Sequence, residues 1–230
     1  MMIRNVTIPV GDAESVSGIL SAPEDFDSQK TTGVIFAHGA ANDMNNPLIQ
    51  FVSRGLAHAG YLTLRFNFLY KEKGKKSPDS QPKLVQTWQS VYRFLSTHPE
   101  FSTKTTVACG KSMGGRVASQ MAAEGLLPVS KLVFLGYPLH APGKKDQLRD
   151  AHLYTISIPM LFLAGTRDTL CDLSILRTVL DRLKAPWDLE VIDGADHSFR
   201  VPKSHPVSQE DTYEQMLKVV VSWFKREGQI

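Results

Sequence analysis

The stretch Gly110-Lys111-Ser112-Met113-Gly114-Gly115 follows an apolar run, Thr105-Thr106-Val107-Ala108-Cys109, and precedes a segment of helical period, Arg116–Glu124. A serine flanked by glycines where a strand turns sharply into a helix is the pattern of a nucleophile elbow, G-x-S-x-G. Such a turn is crowded by the strand and helix it joins, and its serine sits in a strained backbone conformation, so the flanking positions must be small. Gly110 and Gly114 meet that requirement. A glycine-rich turn with an incidental serine would carry the same letters, so the rest of the chain has to decide.

Outward from this stretch, Gly and Pro cut the sequence into short apolar runs that alternate with helical patterns, the arrangement of a sheet covered on both faces by helices. Residues 2–9 and 16–22 read as a hairpin. Further strands are expected at Gly33–Ala37, Tyr61–Phe66, Thr105–Cys109, Lys131–Leu135, Met160–Ala164 and Leu189–Ile192. The central runs are almost continuously apolar, as strands buried on both faces are. Helices are expected from Pro47, over Leu84–Leu95, behind the capping candidate Asp172 to Leu183, and over Tyr213–Phe224, where Glu210 and Asp211 precede and Lys225 and Arg226 follow in accord with the helix dipole. The expectation is one α/β domain over residues 1–230, with a mostly parallel eight-stranded sheet and no large cap.

Composition narrows the class. With 42% hydrophobic and 21% charged residues, the chain is neither disordered nor fibrous, and a net charge of +3 gives no ground to expect nucleic acid as a partner. No apolar run approaches the roughly 18 residues of a membrane span, and the start Met1-Met2-Ile3-Arg4-Asn5 lacks a signal-peptide core. A cytoplasmic protein without membrane partners is therefore expected. Cys109 and Cys171 have neither disulfide-framework nor zinc-ligand spacing and read as reduced thiols. No dinucleotide fingerprint, Walker pattern or metal-ligand cluster is present, so no cofactor and no metal are expected.

A serine hydroxyl needs a base at neutral pH, and an imidazole serves when a carboxylate fixes its tautomer. His197, in Gly194-Ala195-Asp196-His197-Ser198, follows the last predicted strand, hence at the same carboxyl edge of the sheet as Ser112. Asp168, closing Gly165-Thr166-Arg167-Asp168, lies just past the neighbouring strand. The order Ser112, Asp168, His197 is that of α/β-hydrolases. Among rival carboxylates, Asp172 reads as a helix cap, whereas Asp193 and Asp196 stand too near His197 in sequence to reach its far nitrogen easily. His58, His98, His152 and His205 sit in helical or polar surface contexts.

An oxyanion needs backbone N–H donors, for which Met113, after the nucleophile, and Ala40, in the loop His38-Gly39-Ala40-Ala41, are the candidates. His38 reads as a loop-fixing residue without a proton-transfer role. The polar stretch Tyr70–Lys83, with lysines at 71, 73, 75, 76 and 83, is either a solvated loop or a collector of anionic substrates.

Taken together, His38-Gly39-Ala40 with Asp43-Met44, Gly110–Gly114, Tyr137-Pro138-Leu139-His140, Leu148-Arg149, Gly165–Asp168 and Asp196-His197-Ser198 resemble the α/β-hydrolase superfamily. Within it they are most similar to the cap-less, dienelactone-hydrolase-like proteins, and to a branch related to a testis-expressed protein and a chromatin-acetylating-complex subunit. The resemblance implies an eight-stranded fold with a triad at Ser112, Asp168 and His197. Dienelactone hydrolases carry cysteine at the elbow, so their substrate is not implied. Lys111 beside the nucleophile either pairs with Asp43, tying elbow to oxyanion loop, or points into solvent. His140–Tyr154, where larger relatives insert lids, has only about 15 residues, which argues against a deep lipid tunnel.

The expected activity is cleavage of a small carboxylic ester or thioester through an acyl-enzyme on Ser112. Two alternatives stay open: a hydrolase-fold binding or scaffold protein without activity, and a peptidase or acyltransferase using the same three residues.

Overall fold

The computed structural model describes residues 1–226. Eight strands form one sheet in the spatial order β1-β2-β4-β3-β5-β6-β7-β8. They are β1 (Met2–Val10), β2 (Glu14–Ala22), β3 (Gly33–Ala37), β4 (Leu62–Phe66), β5 (Thr106–Lys111), β6 (Lys131–Leu135), β7 (Met160–Gly165) and β8 (Trp187–Ile192). The β1–β2 hairpin joins β4 antiparallel, and every later pairing is parallel. The carboxyl ends of β3, β5, β6, β7 and β8 therefore open on one rim.

Side-chain alternation along each strand feeds two cores. Ile35, Ala108, Phe134 and Phe162 point to one face. There they pack under α3 (Gln81–Thr97), α4 (Met113–Ala123) and α5 (Leu173–Leu180), with Trp88, Val117 and Leu176 among the contacts. Val34, Phe36, Val107, Cys109, Leu161 and Leu163 point to the other, beneath α1 (Pro47–His58) and α6 (Gln209–Lys225). Both cysteines are buried and free.

Local signals set the helix ends. The Asn46 side chain accepts from the Ile49 N–H with Pro47 in the first turn, Asp172 accepts from the Ser174 and Ile175 N–H groups, and Ser208 accepts from Asp211. Strand ends move by one or two residues, β5 running on to Lys111 and β8 starting at Trp187, and three further details differ from expectation. The helix behind Asp172 stops at Leu180, and Leu183 follows in a turn where its N–H donates to the Leu180 carbonyl. The stretch read as polar loop begins instead with a short helix, α2 (Leu69–Glu72), in which Tyr70 is fully buried. A 3₁₀ turn, Ala151–Thr155, carries His152 inward rather than to the surface, within 2.8 Å of the Ser119 hydroxyl.

Candidate active site

β5 runs to Lys111 and α4 starts at Met113, so the whole reversal falls on Ser112, whose backbone has φ 51° and ψ −117°. That region costs a non-glycine residue of the order of 1–3 kcal/mol and persists only where the surroundings impose it. They do so here by close packing. A Cβ on Gly110 would lie 2.2 Å from the Gly115 nitrogen, and one on Gly114 would lie 2.6 Å from the Ala37 carbonyl oxygen. Trp88, buried on α3, donates its indole N–H to the Gly114 carbonyl at 3.3 Å, fixing the turn from the opposite side.

The partners arrive from neighbouring strand ends. Asp168 follows β7 in a turn closed by its N–H on the Gly165 carbonyl, and its Oδ1 accepts from the Leu170 N–H at 2.7 Å. Its Oδ2 lies 2.7 Å from His197 Nδ1, with the carboxylate fully shielded from solvent. A carboxylate there requires hydrogen on Nδ1, which leaves Nε2 as the acceptor. Nε2 lies 2.8 Å from Ser112 Oγ, so the hydroxyl donates to it. An alcohol, an imidazole and a carboxylate thus form one continuous hydrogen-bonded line.

The loop after β3 is held by two side chains. His38, fully buried, donates from Nδ1 to the Gly39 carbonyl at 2.8 Å and accepts the Phe68 N–H on Nε2 at 3.1 Å. Burial pushes its pKa down to about 4, opposed by the Gly39 hydrogen bond, so the ring is neutral at pH 7. The Tyr70 hydroxyl spans the Gly39 and Ala40 carbonyls at 3.3 and 2.8 Å. In a trans peptide the C=O and N–H point in opposite directions. Holding the Gly39 carbonyl against His38 and Tyr70 therefore turns the Ala40 N–H the other way. Ala40, Ser112 and Met113 line one open cleft of about 620 Å³. Met113 is the first residue of α4, where N–H groups have no intrahelical acceptor. The sequence did not single out Tyr70, since a four-residue helix has too little periodicity to declare a buried face.

The ion pair considered between Lys111 and Asp43 does not form. Period-two alternation places Lys111 on the face of Val107 and Cys109, under the His197 loop, where Nζ donates to the His197 carbonyl at 3.0 Å. The charge of Asp43 acts instead on His38 and Tyr70. Nor does Lys111 reach solvent, being only 2% exposed. Its pKa is pushed down to about 8 by burial, opposed by the charges of Asp168 and Asp196.

Pro78 and Asp79 of the loop before α3, and Gln81 at its start, line the cleft, but none of the lysines at 71, 73, 75, 76 and 83 does, which leaves them the solvated reading. Pro138, Ala141, Pro142 and Leu170 close the opposite wall. The short segment between β6 and β7 is pinned there: Tyr137 donates to the Arg149 carbonyl at 2.6 Å, and His140 accepts the Asp172 N–H at 3.0 Å. A depression of similar size between α1 and α6, lined by Phe51, Arg54 and Leu217, lies apart from Ser112. Among the described residues no group of three His, Cys, Asp or Glu side chains could hold a metal ion, and no helix is long and apolar enough to cross a membrane.

Residues 30–225 match the family described as alpha/beta hydrolase domain. The chain belongs to that family. Its fold is that of the α/β-hydrolases whose structures are solved: dienelactone hydrolase from Anabaena variabilis superposes with a TM-score of 0.76 at 22% identity, covering 97% of this chain and 96% of that one. An α/β serine hydrolase without lid from Xanthomonas campestris gives 0.71 at 20% identity, with 96% and 94% covered. Est1E from Butyrivibrio proteoclasticus, solved with ferulic acid bound, gives 0.75 at 16% identity, with 95% and 97% covered. In sequence, a Mycobacterium tuberculosis protein whose name proposes a phosphoribosyl transferase is 27% identical over 212 residues. That match covers 91% of this chain but 43% of the relative, so this α/β-hydrolase spans less than half the length of the curated relatives it matches.

Proposed function

We propose that this protein is a serine hydrolase of small carboxylic esters or thioesters, on the single observation that Ser112 Oγ, His197 Nε2 and His197 Nδ1–Asp168 Oδ2 form one line at 2.8 and 2.7 Å beside an open cleft. In this reading Ser112 Oγ attacks the carbonyl carbon while its proton passes to His197 Nε2. Asp168 stabilises the imidazolium that results without taking its proton. The carbonyl oxygen, now negative, meets the Ala40 and Met113 N–H groups, each such donor commonly worth about 3 kcal/mol. The tetrahedral intermediate expels the alcohol or thiol, which takes the proton from His197, and leaves an acyl group on Ser112. Water, deprotonated by the same nitrogen, then releases the acid and restores the hydroxyl. The open, lid-poor cleft suits compact substrates better than long acyl chains.

The phosphoribosyl transferase name belongs to proteins with more than half their length outside the match, and the chemistry assembled at Ser112 has no need of a pyrophosphate leaving group. The test is labelling with a fluorophosphonate together with turnover of p-nitrophenyl and thioester series of rising chain length, using wild type and Ser112→Ala. Labelling and turnover confined to wild type support the assignment. Equal labelling of Ser112→Ala, or no labelling and no turnover by wild type, would replace it with the binding-protein reading.

A further inference from the structure

The chemistry above leaves two cations in the cleft without a task. Arg116 stands one turn of α4 beyond Ser112, a displacement of about 6 Å along the axis. Arg149 stands on the segment between β6 and β7, and both line the cleft that Ser112 and Met113 line. Among the described residues neither is in an ion pair. Arg149 reaches only the Pro138 carbonyl, at 3.4 Å, a long contact. Arg116 is half-buried, and its guanidinium pKa is lowered by that burial and further by the charge of Arg149. The one carboxylate in the cleft wall, Asp79, is engaged elsewhere, its Oδ2 accepting the Tyr70 N–H at 2.8 Å. Arg149 is exposed and Arg116 half-buried, and two like charges on one cleft repel each other until an anion sits between them.

We propose that the substrate carries a carboxylate besides its ester, and that Arg116 and Arg149 seat this carboxylate while the ester carbonyl faces Ser112. Guanidinium forks match the two oxygens of a carboxylate and bind them more strongly than neutral donors would. One helical turn between nucleophile and anion suits the half-ester of a short dicarboxylic acid. Turnover of such a half-ester rests on the function proposed above, whereas its binding does not.

The experiment has two arms. In the first, proton release from monomethyl glutarate is compared with that from methyl hexanoate, and the ratio of the two kcat/KM values is read for wild type, Arg116→Gln, Arg116→Lys and Arg149→Gln. The ratio should exceed about tenfold in favour of the half-ester for wild type, fall towards one in both glutamine variants, and recover only in part with lysine. Being a ratio, it is insensitive to a general loss of activity or of folded protein. In the second, calorimetry follows monomethyl glutarate binding to Ser112→Ala and to the same protein with Arg116→Gln added, which should bind at least tenfold more weakly. Binding that does not change with Arg116→Gln, or a wild-type ratio near one, overturns the proposal. Arginine-dependent binding without any turnover by wild type would instead keep the carboxylate seat and reject the hydrolase reading.

Discussion

Lys111 Nζ donates to the carbonyl oxygen of His197 at 3.0 Å, so the residue before the candidate nucleophile holds the loop that carries its base. The ammonium is buried and, among the described residues, has no carboxylate within 4 Å, although Asp168 and Asp196 favour its charge from further away. Such a contact orders the His197 loop at a cost in stability.

That cost has a definite pH dependence. Burial lowers the pKa of Lys111 to about 8 in the folded protein, against the ordinary 10.5 of the unfolded chain. Between these values the unfolded state binds more protons, so stability rises with pH through that window and the penalty is largest below pH 8. A shift of that size corresponds to roughly 3 kcal/mol. Lys111→Met is therefore expected to be more stable than wild type at pH 7, by up to about 3 kcal/mol, with the advantage shrinking below about 1 kcal/mol by pH 10. Under the proposed function its turnover is expected to fall, because the His197 loop loses its anchor. Urea unfolding of both proteins at pH 7 and 10 checks this; a variant less stable than wild type at pH 7 contradicts it.

Tyr70 supplies a second test. Its hydroxyl orients the Gly39–Ala40 carbonyls and through them the Ala40 N–H, and Tyr70 does not line the cleft itself. Tyr70→Phe keeps the buried ring and removes the two hydrogen bonds. Because the donor is then held less firmly where negative charge develops, kcat should drop by about tenfold with KM altered less than about twofold. A loss confined to KM would place Tyr70 in substrate binding instead.

Asp168→Asn probes the tautomer argument. An amide can present its N–H₂ to His197 Nδ1, which stabilises the ring with hydrogen on Nε2, the wrong nitrogen to accept from Ser112. In a Ser-His-Asp protease this change costs about four orders of magnitude in kcat, and under the proposed function a similar drop is expected here with the fold intact. Circular dichroism and thermal unfolding would verify the fold, and activity within tenfold of wild type would show that another carboxylate serves His197.

Much of this site was legible because it depends on local backbone demands. A serine at a strand-to-helix reversal needs Gly110 and Gly114 nearby whatever the rest of the chain does, and strand ends on one rim bring Asp168 and His197 to the same place. Asp172 was legible as a cap for the same reason. What depends on long-range packing was not. Neither a Lys111–Asp43 pair nor a solvent-facing Lys111 survives, because β5 continues to Lys111 and alternation sends that side chain to the buried face of Cys109. Tyr70 and His152 sit in polar surroundings in sequence, and only the fold brings the Ala40 carbonyl to one and Ser119 to the other.

His38 gives the last prediction. Its neutral ring is held by one donated and one accepted hydrogen bond, and its folded pKa of about 4 lies below the ordinary 6.5. As pH falls through that interval the unfolded chain takes up a proton that the folded one refuses, so stability is present above pH 6.5 and is lost towards pH 4. The full shift amounts to roughly 3 kcal/mol. His38→Gln should be less stable than wild type at pH 7, because a glutamine cannot make both hydrogen bonds in the ring's geometry. It should also lose less stability between pH 6.5 and 4, so that the two curves converge in acid. Denaturant unfolding across that range is the measurement, and curves that stay parallel would mean that the acid sensitivity of the fold arises elsewhere.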